Sequence, residues 1–239
     1  MIEAHELTVR FGGVTSLDRL SVTFAPGTCG LIGPNGSGKT TFFNVLSGFV
    51  RPDAGTVTAF GEDLLSMAHY RRARRGLRRT FQTDQAIEQL SVYDNVAMIH
   101  EHAGFRRGSR RRDVLGAISF AGLDVDPLAP VAVLSQAKRR LVELARVVVG
   151  RPRLVLLDEP AAGLPAEETE HIGHVIRRIP GHTGALVILV DHDMALVSRC
   201  CQTTTVLDFG QLIASGPTAD VLRDERVVRA YLGIPGKPG

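Results

Sequence analysis

The run GPNGSGKT, residues 33–40, holds the residues best suited to chemistry. Its spacing, G-x-x-x-x-G-K-[ST], is that of a loop that wraps phosphates. Gly33, Gly36 and Gly38 let backbone N–H groups turn inward around an anion, and a helix starting at the loop adds the positive end of its dipole. Lys39 is then the side chain that reaches the β- and γ-phosphates, and the Thr40 hydroxyl is placed for magnesium. A chance glycine-rich turn is the bland alternative. The context argues against it, because an apolar strand-like stretch, GTCGLIG, precedes the loop and a helical stretch, 38–48, follows it.

Two further clusters are acidic. LVLLDEP (154–160) is an apolar run that ends in Asp158 and Glu159. An acid at the end of a buried strand can hold magnesium through water, which is the reading for Asp158. Glu159 is placed to polarise a water that attacks a γ-phosphate. Paired acids also cap helices and form turns, but the preceding strand and Pro160 favour the chemical reading. VDHDM (190–194) ends a second apolar run with His192, a candidate to sense the γ-phosphate and orient water. Gln82, in RTFQ (79–82), is a neutral side chain able to touch both magnesium and the water.

These residues need a scaffold. IEAHELTVRF reads as a strand, residues 56–60 as another after the turn RPDAG, and TTTVLDFGQLIASG as a hairpin turning at Gly210. RLVLLDEP and ALVILVDHD are continuous apolar runs, as expected of parallel strands covered on both faces. Between about 62 and 130 such strands thin out, and charged, helical segments broken by Gly76, Gly104, Gly108 and Gly122 take over. Leu141, Leu144, Ala145 and Val148 recur at helical spacing. PTADVLRDERVVRAYLG closes the chain as helix, with Gly233 as its stop. The pattern is α/β with a helical insertion, and its polar clusters fall beyond the carboxyl ends of strands, where such sheets bind ligands.

With 239 residues, 44% of them hydrophobic, the chain can bury a full core. No apolar run approaches the length of a membrane helix. The start, MIEAHELTVRF, lacks the basic and apolar regions of a signal peptide, so a cytosolic location is expected. The three cysteines, Cys29, Cys200 and Cys201, fit no zinc spacing and are expected to be reduced structural thiols. The net charge of +3 is concentrated in RRARRGLRR (71–79) and RRGSRRR (106–112). No aromatics interleave with these arginines as a base-stacking platform requires. They are read as a solvated helix face or a contact with a protein near a membrane, and no nucleic-acid partner is expected.

Together these motifs resemble the ATPase subunit of an ABC transporter, through nearly the whole chain. Lys39 and Thr40 match its Walker A motif, Gln82 its Q-loop, Asp158 and Glu159 its Walker B motif and catalytic glutamate, and His192 its switch histidine. Phe11, in VRFGG, matches an aromatic that stacks on adenine. The resemblance implies a P-loop NTPase core, a mostly parallel sheet with an antiparallel β subdomain, formed by residues 1–83 and 151–239. A helical subdomain at about 84–150 carries the signature segment. It further implies ATP and Mg2+ as ligands. Asn35, Ser37 and Thr41 join the loop residues on ATP, and Thr40, Gln82 and Asp158 hold the ion. FGGVTSLDRLS, RTFQ, EPAAGL, DHDM and AYLG look like ATPases of branched-chain amino-acid importers, a pattern shared with urea and short-chain amide importers. The partners implied are transmembrane permease subunits, a second ATPase subunit and, indirectly, a periplasmic or extracellular solute-binding protein. The implied location is peripheral, on the cytoplasmic face of the membrane.

Two segments depart from that family. Leu-Ser-Gly-Gly-Gln, or Leu-Ser-Tyr-Gly-Gln in the subfamily, is here Leu134-Ser135-Gln136-Ala137-Lys138. Ser135 can still bond a γ-phosphate oxygen. Ala137 places a methyl group where backbone approaches phosphate, and Lys138 replaces a neutral glutamine with a cation. In this family the signature acts on the nucleotide of the partner in a head-to-tail dimer, so the change implies an asymmetric pair with a non-identical ATPase. Pro165 stands where the subfamily has asparagine. Two other readings stay open: a non-transport ABC ATPase acting on nucleic acid or ribosomes, and a mainly nucleotide-binding regulatory subunit.

Overall fold

A computed structural model describes residues 1–82, 85–102 and 109–232. In chain order the elements begin with β1 (Ile2–Phe11), β2 (Val14–Phe24), β3 (Thr28–Ile32), α1 (Lys39–Ser47), β4 (Ala54–Ala59) and β5 (Glu62–Asp63). There follow α2 (His69–Arg74), β6 (Leu77–Arg79), α3 (Val92–His102), α4 (Arg110–Phe120), α5 (Gln136–Val148) and β7 (Leu154–Asp158). Last come α6 (Ala166–Thr183), β8 (Leu186–Val190), α7 (Met194–Cys200), β9 (Thr203–Asp208), β10 (Gln211–Pro217), α8 (Thr218–Val221) and α9 (Glu225–Leu232). The chain divides into two compact units, residues 1–72 with 188–239, and residues 73–187.

In the first unit β2, β1, β4 and β5 form an antiparallel sheet in that order. Its turns follow local chemistry. Phe11 pairs with Val14 across Gly12-Gly13, and Phe60 and Gly61 both take positive φ between β4 and β5. β3 runs parallel to β9. β9 turns back into β10 at Phe209-Gly210, again both left-handed, as a two-residue hairpin requires. Every residue of β3 is buried. Leu7, Leu17, Leu20, Phe24, Leu31 and Phe42 fill this unit's core, with the rings of Phe24 and Phe42 5.7 Å apart. Cys29, Cys200 and Cys201 are free and buried, as expected.

In the second unit β6 runs parallel to β7, both held by Gly76, whose carbonyl accepts from the N–H groups of Arg153 and Leu154. Leu141, Leu144, Ala145 and Val148 on α5 are all buried, as their spacing predicts. The stretch of 62–130 where strands thin out still holds two short ones, β5 and β6. Gly76, with φ +97°, reverses the chain after α2 and lets Leu77–Arg79 extend. The single closing helix is corrected. It is broken after Val221. The Asp224 carboxylate caps α9 by accepting from the Arg226 N–H at 2.8 Å, as a capping acid should. Gly233, Gly104, Gly108, Arg106 and Arg107 lie outside the described residues.

RRARRGLRR is not a uniformly solvated face. Arg71, Arg74 and Arg75 are exposed, but Arg72 and Arg78 are buried, as is the Arg79 side chain. Arg78 donates to the carbonyls of Ala73 and Leu77, and burial lowers its guanidinium pKa to about 10. Arg72 donates to the carbonyls of Val45, Leu46 and Met67, closing the carboxyl end of α1. A guanidinium suits that place because the last carbonyls of a helix lack intrahelical partners and carry the negative end of its dipole. Arg72→Ala removes a donor from those carbonyls, of which Val45 keeps its bond from the Gly48 N–H, and is expected to cost about 2–3 kcal/mol. Arg72→Lys should recover less than half, since one ammonium cannot reproduce the fork. Equilibrium urea unfolding measures both, and an alanine variant as stable as wild type would show that water replaces the guanidinium.

Candidate functional site

In the first unit the phosphate loop is built by steric necessity. Gly33, Gly36 and Gly38 have φ of +150°, +80° and +102°. A Cβ on Gly33 would lie 2.1 Å from the Leu207 carbonyl oxygen, and one on Gly38 would lie 2.6 Å from the Ser16 carbonyl oxygen. A Cβ on Gly36 would meet nothing within 4 Å, so the loop has one open side where an anion can meet bare backbone. Lys39 Nζ bridges the loop, donating to the carbonyls of Gly33 at 2.7 Å and Pro34 at 2.8 Å. α1 starts at Lys39 with Gly38 as its cap and no side-chain capping bond, and the amino end of a helix favours an anion. Thr40 is exposed, Asn35 too, and Thr41 Oγ1 shares a 2.7 Å hydrogen bond with Ser16 Oγ.

The loop is braced from far along the chain. The Gly210 N–H donates to the Ser37 carbonyl, and the Asp18 N–H donates to the Gly210 carbonyl. Gly210 has φ +78°, and a Cβ there would sit 2.6 Å from the Ser16 carbonyl oxygen. The hairpin turn read from the sequence is therefore also a support for the loop. Phe11, 53% exposed at the end of β1, presents a ring to solvent. His192 is exposed between two acids with local tasks. Asp191 accepts from the Asp193 N–H, and Asp193 caps α7 by accepting from Ala195 and Leu196. Those caps hold the His192 backbone in a tight turn after β8.

In the second unit Asp158 ends β7 and Glu159 follows it. The Asp158 side chain is 3% exposed and pairs with Arg79, 5% exposed, at 3.2 Å. Burial lowers the Arg79 pKa, and the Asp158 charge beside it works against that. The Asp158 N–H donates to Thr80 Oγ1 at 3.0 Å, so β6 and the residue after it fix the acid through main chain and side chain. Glu159 has φ +49°. That left-handed conformation costs a non-glycine residue about 1–2 kcal/mol. The Gln82 Nε2 donates to Glu159 Oε1 at 3.3 Å, so the structure brings these two sequence-predicted residues together.

Ser135 caps α5, its hydroxyl accepting from the Lys138 N–H at 3.4 Å. Ser135, Gln136 and Lys138 are exposed, and Ala137 is half-buried. Gln136 Nε2 lies 3.2 Å from where a Gly163 Cβ would stand, against the loop that ends in Pro165. Pro165 precedes α6 without a side-chain cap, which an asparagine could supply. The predicted ion ligands offer a hydroxyl, an amide and a carboxylate. Such hard oxygen donors fit Mg2+ bound jointly with phosphates, better than an all-protein cage. Arg79, Ser16 and Gly210 are site residues that sequence reasoning missed in these roles. For Arg79 the position within RTFQ was a signal, since it opens the stretch that carries Gln82.

The ABC transporter family matches residues 17–162, and the branched-chain amino acid ATP-binding cassette transporter family matches residues 211–235. The chain is 32% identical to the high-affinity branched-chain amino acid transport ATP-binding protein BraF of Pseudomonas aeruginosa, over 98% of both chains. It is 30% identical to the protein LivG, similarly described, of Escherichia coli K12, also over 98% of both. Among solved structures, the ADP conformation of MJ1267, an ATP-binding cassette of an ABC transporter, superposes with a TM-score of 0.87. It is 25% identical, over 98% of each chain. No helix among the described residues is long and apolar enough to cross a membrane.

Proposed function

The chain belongs to the ATP-binding subunits of ABC transporters, and from that premise we propose that it hydrolyses ATP to power an importer of branched-chain amino acids or a related small polar solute. The observation that carries the solute class is the match over 98% of both chains to two branched-chain transport ATP-binding proteins. The chain has the α/β core of the family, and residues of about 84–150 act as its helical subdomain. Its partners are transmembrane permease subunits, reached from the cytoplasmic face, with a solute-binding protein acting through them.

Each residue has a task. Phe11 stacks on adenine. Lys39 and main-chain N–H groups within residues 33–41 take the phosphates. Thr40, Gln82 and Asp158 hold Mg2+, which neutralises phosphate charge when bound. Glu159 accepts a proton from the attacking water, Gln82 fixes the glutamate and the water, and His192 orients the γ-phosphate. The left-handed backbone of Glu159 is of the kind retained where geometry serves a site. Regulation without hydrolysis is the second reading, motivated by Ala137 and Lys138, and it requires that both members of the dimer carry this signature. A role on nucleic acid is disfavoured by the burial of Arg72, Arg78 and Arg79, which removes them from any phosphate-binding face.

The signature acts in trans, so its changes weaken the partner's site and not this chain's own. We assign the active site to this Walker A, completed by the signature of a non-identical ATPase. Replacing Glu159 in the purified complex should remove most of the ATPase activity, and replacing the corresponding glutamate of the partner should remove little. Equal losses would sink the asymmetry. Mass spectrometry of the complex identifies the second ATPase, and a homodimer would favour the regulatory reading.

A further inference from the structure

α5 carries the signature at its amino end, but its buried charges point to another segment. Arg140 and Glu143 are 8% and 5% exposed and pair at 3.0 Å. Both also reach main chain. Arg140 Nη2 donates to the Gln82 carbonyl at 3.3 Å, and Glu143 Oε1 accepts from the Gln85 N–H at 2.8 Å. One turn on, Arg146 donates to the Gln85 carbonyl. Three side chains of a single helix thus bind the backbone on both sides of residues 83–84.

A buried ion pair is weak support for stability, because apolar residues of the same volume usually serve as well. This one does something apolar residues cannot. Gln82 and Gln85 are exposed residues in irregular chain, where no ladder orders the main chain and side chains of α5 hold it instead. The side chain of Gln82, meanwhile, reaches Glu159. Its amide is therefore aimed by a residue whose main chain α5 holds.

We propose that Arg140 and Glu143 are positioning residues for Gln82, a clamp from the signature helix that sets where the Q-loop side chain stands beside Glu159. The clamp stands on the contacts of α5 alone, and its kinetic consequence rests on the proposed role of Gln82.

Hydrogen–deuterium exchange of the full chain, followed by mass spectrometry, reads the clamp without nucleotide. In Glu143→Ala, exchange across 80–90 is expected to rise about 10-fold, while peptides of α5 and β7 stay within about twofold of wild type. In the transporter complex, kcat falls about 10-fold with KM for ATP within about twofold. Glu143→Gln, whose amide oxygen still accepts from Gln85, recovers part of both. Arg140→Lys keeps the charge but loses the fork, and it lowers kcat in the same way. If Glu143→Ala does not fold, Glu143→Gln and Arg140→Lys decide by the same readouts. Wild-type exchange at 80–90, or loosening of α5 to the same degree, overturns the clamp. Raised exchange at 80–90 with wild-type turnover, in these variants and in Gln82→Ala, keeps the clamp and removes the role of Gln82.

Discussion

Glu159→Gln lowers ATP turnover by about 100- to 10,000-fold, the range of a lost general base, and leaves ATP binding in place. The substitution is chosen by the geometry. Glutamine keeps the length and shape of the side chain, and its amide oxygen can still accept from Gln82 Nε2, the 3.3 Å contact of the native pair. What it loses is the negative charge and the capacity to take a proton. Asp158, its Arg79 partner and the Thr80 bond to its N–H are untouched, so the end of β7 keeps its form. Phosphate release and equilibrium ATP binding separate the two effects. Turnover within about tenfold of wild type would mean that another group accepts the proton. Glu159→Gly would relieve the left-handed strain yet destroy activity. The relief is about 1–2 kcal/mol. It is partly offset by the extra freedom of glycine in the unfolded chain. A side chain held there against such strain is retained for something other than stability.

Candidate site residues placed by local sequence were legible. The phosphate loop declares itself because its glycines are spaced by the geometry of one turn. Asp158 and Glu159 were legible because a fully buried apolar strand, β7, leads into them. His192 was legible as a position, but its setting depended on Asp191 and Asp193, whose caps a sequence shows as mere extra acids. The rest required partners distant in the chain. Gly210 reads as a turn residue, and only the fold brings its N–H to Ser37. Arg72, Arg78 and Arg79 are charged, so composition assigns them to the surface. Each instead meets what offsets desolvation, carbonyl groups for the first two and a carboxylate for the third. Hydrophilicity misleads where the partner is main chain, because a carbonyl leaves no trace in the sequence.

The second large effect belongs to the loop itself. Gly33→Ala is expected to abolish useful ATP binding, and Gly36→Ala is expected to spare the fold. The contrast follows from what each new Cβ meets. At Gly33 it would lie 2.1 Å from the Leu207 carbonyl oxygen and 2.6 Å from Ser37 Oγ, distances that no real carbon tolerates. The obstructing oxygen is main chain near the end of β9, parallel to β3, so it cannot swing aside like a side chain tip. The loop must move instead, and with it the Gly33 carbonyl that holds Lys39 Nζ at 2.7 Å. Strain and overpacking together cost about 2–5 kcal/mol, and a loss of about 3 kcal/mol in binding is already about 100-fold in Kd. At Gly36 the new Cβ has no atom within 4 Å, so the penalty is that of φ +80° alone. That penalty is about 1–2 kcal/mol. The methyl group instead occupies the open side of the loop, so ATP binding weakens while the thermal midpoint falls by only about 2–8 °C. Calorimetric titration with ATP and thermal unfolding of both variants test the pair. A Gly33→Ala protein that binds ATP normally would show that the loop does not need the seat between Leu207 and Ser37, and the phosphate site would have to be drawn elsewhere.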